Sequence, residues 1–80
     1  MNFLEIYYTA IAKQFNTDII GAKNILENYI IELKRNIDNS NDNEAKRLWF
    51  EEFQGKPHPS TDDFLSVIFL FGSNPFIPEK

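Results

Sequence analysis

Apolar residues recur along this chain at helical intervals, separated by short polar breaks. Leu4, Tyr7, Tyr8, Ile11 and Phe15 fall on one stripe of an amphipathic helix, which their spacing predicts from about Asn2 to Phe15. Asn16 and Thr17 interrupt that stripe. The Thr17 hydroxyl is suited to cap a following helix, with Asp18 favourably placed against its positive end. In that second segment Ala22, Leu26, Tyr29, Leu33 and Ile37 alternate steps of four and three, widened by Ile25 and Ile30, and predict a helix from about Asp18 to Asn36. Lys34 and Arg35 lie in its last turn, where the dipole favours cations.

The stretch from Asp38 to Asn43 carries no apolar residue and is rich in side chains that compete with helical backbone bonds, so it reads as a loop. A short third helix is expected to begin after Asn41 or Asp42. Glu44 is in its first turn, Ala45, Leu48, Trp49 and Phe53 form one side, and it stops at Gly55. Lys56-Pro57-His58-Pro59 cannot continue it, because proline lacks a donor and pushes the preceding residue towards extended geometry. Ser60 and Asp63 are spaced as a capping box with Asp62 between them, so a fourth helix is expected from there to Gly72.

Taken alone, Val67-Ile68-Phe69-Leu70-Phe71 also suits a buried strand. The caps favour a helix, since one isolated strand has nothing to pair with. Because the run is apolar all round, that helix is either central or covered on one face by another chain. The tail from Ser73 to Pro78 reads as extended, with Phe76 and Ile77 as anchors onto the core. The pattern therefore predicts an all-α fold, a small three- to four-helix bundle with an extended C-terminal tail. A chain of 80 residues buries only ~60% of its unfolded surface, so one domain over residues 1–80 is expected.

Composition narrows the chemistry. There is no cysteine for a disulfide or thiolate metal site, and the three glycines are isolated, so no phosphate loop is present. His58 is the only imidazole, and between prolines it reads as an exposed loop residue. No partner group or concave site is proposed for it, so neither catalysis, cofactor nor metal is expected. The longest apolar run is far short of the ~20 residues of a membrane helix, and Glu5 interrupts an amino end without a preceding positive residue. A cytoplasmic location is the expectation.

Charge is uneven. From Asp38 to Asp63 there are seven acids against three bases, whereas outside that window five acids balance five bases, so the whole net charge of −4 belongs to the third helix and its flanking loops. Some of these carboxylates serve helix starts. Together, Glu51 and Glu52 on one side of the proline connector and Asp62 and Asp63 on the other suggest an acidic surface shaped for a basic partner. Phe50, off the stripe of its helix, and His58 are candidate contacts. Six of the eight phenylalanines lie between Phe50 and Phe76, and an aromatic anchor inside a charged rim suits a protein interface.

The segment Phe50-Glu51-Glu52-Phe53, His58-Pro59-Ser60 and Asp63-Phe64 resembles part of the nuclease-colicin immunity proteins, in which an acidic helix leads through a His-Pro turn to a short partner-facing helix. The likeness covers residues 50–64, and the tyrosine pair of that family does not follow the turn here. It implies that an acidic helix with this kind of turn can serve as a nuclease-blocking surface.

These readings converge on a small acidic inhibitor that occludes a basic, nucleic-acid-handling protein, as immunity proteins and phage-encoded anti-defence inhibitors do. The alternative is a structural or regulatory subunit, a homodimer or adaptor using the apolar fourth helix. Direct nucleic-acid binding rests only on Lys34-Arg35 and Lys46-Arg47, pairs too sparse for a phosphate track.

Overall fold

The computed structural model describes residues 2–56 and 58–76. It contains four helices, α1 (Phe3–Gln14), α2 (Ile19–Asp38), α3 (Asn43–Glu52) and α4 (Thr61–Phe71), and no strand among the described residues. The run Val67–Phe71 is thus helical, as its caps require.

Each helix start is capped by a side chain. Asn2, Asp18, Asp42 and Ser60 accept from the backbone N–H groups of Glu5, Gly21, Ala45 and Asp63 respectively, each supplying an acceptor to an otherwise unpaired donor. The cap of α2 is Asp18 rather than Thr17. Thr17 instead closes α1, its N–H donating to the Ala12 carbonyl (2.8 Å) across Asn16, which is left-handed at φ 55°. That is a Schellman closure with Thr17 at its last position, and Asp18, the next residue, carries the carboxylate that reaches the Gly21 N–H. α3 ends the same way. Its left-handed residue is Gln54 (φ 54°), and Gly55 donates back to the Phe50 carbonyl (2.9 Å), so the helix stops before the glycine that the sequence suggested. Gly72 closes α4 at φ 75°.

At about 1.5 Å per residue, α2 is ~30 Å long and nearly spans the 35 Å longest dimension of the molecule. It packs against α1, α3 and α4, and α1 also meets α4. The central element is therefore α2, not α4. With only 11 residues, α4 buries Phe64, Leu65 and Val67 and leaves its last turn outward, where Phe69 is 53%, Leu70 76% and Phe71 46% exposed. Two further residues of the predicted stripes stand out of the core. Phe15 falls at the end of α1, where the chain leaves helical geometry, and Tyr29 turns its hydroxyl to the tail.

One end of the core is aromatic. Trp49 and Phe53 from α3 and its cap, Phe64 from α4 and Phe76 from the tail place their ring centroids 4.8 to 6.4 Å apart. The described part of the tail, residues 73–76, brings Phe76 onto this cluster. Asn74 accepts from the Phe76 N–H through Oδ1 (3.0 Å) and donates from Nδ2 to the Tyr29 hydroxyl (2.9 Å). Phe76 is buried as an anchor, while Ile77, the second expected anchor, lies outside the described residues, as does Pro57 of the connector.

Candidate functional site

Successive residues on a helix point about 100° apart, and this divides the acidic set. On α3, Glu51 is exposed and leans back towards Arg47 (3.7 Å), while Glu52 is half-buried and faces the opposite way, towards α4. On α4, Asp62 and Asp63 part in the same manner. Asp63 joins Glu52 on a groove of about 260 Å³ floored by Phe53, Val67 and Leu70, with Lys56 reaching to within 3.9 Å of the Asp63 carboxylate.

Asp62 belongs to a different neighbourhood. The buried Tyr8 of α1 donates its phenolic proton to Asp62 Oδ1 (2.5 Å) and is hydrogen-bonded to the Thr61 hydroxyl (2.6 Å). Burial first, then the hydrogen bond and charge of Asp62, push the Tyr8 phenol up to about 12. Lys23 lies over the ring at 5.2 Å from its centroid. Tyr8, Lys23 and Asp62, together with Glu5 and Ile19, line a groove of about 430 Å³ between α1, α2 and the start of α4. Asp62 is therefore a clamp between two helices.

Phe50 is 66% exposed and occupies the other side of the α3–α4 turn. One edge of its ring lies over Gly55, so close that a β-carbon there would stand 3.0 Å from Phe50 Cε2. It borders a groove of about 180 Å³ whose walls include Lys34, Lys46 and Lys56. His58 is exposed in the turn and is on the wall of neither groove. Of the six residues singled out from the sequence, the structure brings together Glu52 and Asp63, keeps Glu51, Phe50 and His58 exposed nearby, and directs Asp62 elsewhere. Sequence reasoning missed the apolar floor, Val67 and Leu70, and the shared Lys56. The 100° step between neighbouring helical residues was the signal that separates each carboxylate pair.

Among the described residues no three His, Asp or Glu side chains converge to hold a metal ion, and no helix is long and apolar enough to cross a membrane. The chain matches no protein-family model, and neither a curated protein nor a solved structure matches it.

Proposed function

We propose that this chain is a protein-binding inhibitor that covers a basic surface of a nucleic-acid-handling partner, in the manner of immunity proteins and phage anti-defence inhibitors. The observation that carries this reading is the groove between the end of α3 and α4. It has an apolar floor that continues onto the exposed Leu70, and two carboxylates, Glu52 and Asp63, at its rim. An apolar side chain of the partner would seat against Val67 and Leu70, while lysines or arginines around it meet Glu52 and Asp63, with Glu51 adding to the approach field. Lys56 would exchange its long, exposed contact with Asp63 for solvent as the partner's cation arrives. Steric cover blocks the partner's site and electrostatic steering speeds the encounter.

The test is capture with the purified chain and with its Glu52→Lys/Asp63→Lys variant, followed by identification of what is retained. A basic nuclease or other nucleic-acid-binding protein held by the first and lost by the second supports the reading. Equal retention by both removes the role of the groove.

A second reading has its own observation. Phe69, Leu70 and Phe71 expose one continuous apolar turn, and Phe69 stacks on Phe3 of α1 (centroids 4.5 Å), extending the patch across two helices. Such a face suits self-association. Sedimentation of the purified chain distinguishes the two: a stable dimer that Leu70→Glu dissociates favours a homodimeric subunit, and a monomer favours the inhibitor.

A further inference from the structure

The groove on the Phe50 side of the α3–α4 turn has a charge sign opposite to that of the whole molecule. Lys34 from α2, Lys46 from α3 and Lys56 from the turn line it, against one carboxylate, Asp38. Asp38 is held by Lys34 through both oxygens (2.7 and 2.6 Å), which neutralises that pair. Lys46 has no carboxylate partner among the described residues, and Lys56 has only its 3.9 Å contact with Asp63. Two ammonium groups are thus left to face an incoming anion, in a chain whose net charge is −4.

Two aromatic features complete the groove. Trp49 forms part of its wall, and the Trp49 indole N–H is a buried side-chain donor without an acceptor among the described residues. At the rim, the Phe50 ring is steadied over Gly55 and leaves two-thirds of its surface to solvent. An exposed aromatic ring beside ammonium groups is the pairing by which proteins hold a base and its phosphate.

We propose that this groove binds a nucleoside monophosphate, its phosphate between Lys46 and Lys56 and its base stacked on Phe50. Lysine supplies point charges suited to a phosphate, whose dianion answers two ammonium groups better than a single carboxylate does. At about 180 Å³ the groove is smaller than the ~300 Å³ lower bound of pockets that enclose a whole organic ligand. It therefore takes the phosphate end and leaves the base outside, on Phe50. The ligand is a free nucleotide and not a strand. A strand would need further cations beyond the groove, and the net charge of −4 opposes its additional phosphates.

Adenosine 5′-monophosphate, adenosine, inorganic phosphate and an oligo(dT) strand are titrated separately into the labelled protein at low salt. The single tryptophan gives one indole N–H resonance to follow. The nucleotide is expected to shift that resonance and the amides of Phe50 and Gly55 saturably, at least about tenfold more tightly than adenosine or phosphate alone, each of which offers only half the contacts. Lys46→Gln is expected to weaken the nucleotide severalfold, and Phe50→Leu, which keeps the apolar cover over Gly55 and so the fold, to bring its affinity down to that of phosphate. Absence of a saturable shift, equal binding of nucleotide and phosphate, or indifference to both substitutions overturns the proposal. Binding of oligo(dT) per site much tighter than the nucleotide overturns it in favour of a strand.

Discussion

Gln54 holds a left-handed conformation (φ 54°) that costs a side-chain-bearing residue roughly 1 kcal/mol relative to glycine. Gln54→Gly is accordingly expected to raise stability by about 0.5–1 kcal/mol, visible as a higher melting temperature, and Asn16→Gly to raise it less, because asparagine tolerates that region. Tyr8 makes a different prediction. Its phenol titrates at about 12 in the folded chain, against about 10 when exposed. Between those values the folded state keeps a proton that the unfolded state has lost, so the stability it contributes is complete below pH ~10 and disappears as the pH climbs to ~12. Urea unfolding at pH ~9 and ~11 is expected to show a smaller alkaline loss in Tyr8→Phe than in the parent, the variant itself being about 1 kcal/mol less stable at neutral pH through loss of the bond to Asp62.

At the scale of elements, the tail behaves as a fifth piece of the core. Phe76 covers Trp49 at 4.9 Å and is as buried as Phe53 and Trp49. Phe76→Ala is expected to cost about 2–3 kcal/mol, less than the ~3–5 kcal/mol of Phe64→Ala, because a segment outside the helices relaxes around a cavity more readily than the middle of α4. It should also red-shift the fluorescence of Trp49 by admitting water, and an unshifted spectrum would mean that the tail does not seal the cluster. Most of this architecture was legible in the sequence because it rests on local chemistry. Helical spacing placed all four helices, and Ser60, Asp63 and Gly72 fixed both ends of α4. The centrality of α2 was not legible, since an apolar run such as Val67–Phe71 tells how much surface wants cover but not whether the fold supplies it. The anchoring of Phe76 was legible, but its route was not, because that depends on Asn74 meeting Tyr29, 45 residues away.

Over the whole molecule, the charge map separates into two grooves of opposite character that share Lys56 at the α3–α4 turn. The uneven distribution of acids was readable from residue counts. Its division was not, because Lys34, Lys46 and Lys56 come from three different elements, and because Asp62 is drawn to Tyr8 by a contact that spans 54 residues. The central claim is that Glu52 and Asp63 steer a basic partner onto the apolar floor beside them. The most direct measurement is the association rate of the captured partner with the parent chain and with Glu52→Lys/Asp63→Lys, at ~20 and ~200 mM salt. The account predicts a parent rate that falls about tenfold or more across that range and a variant rate that starts low and changes little. Equal rates for the two chains at low salt would contradict it.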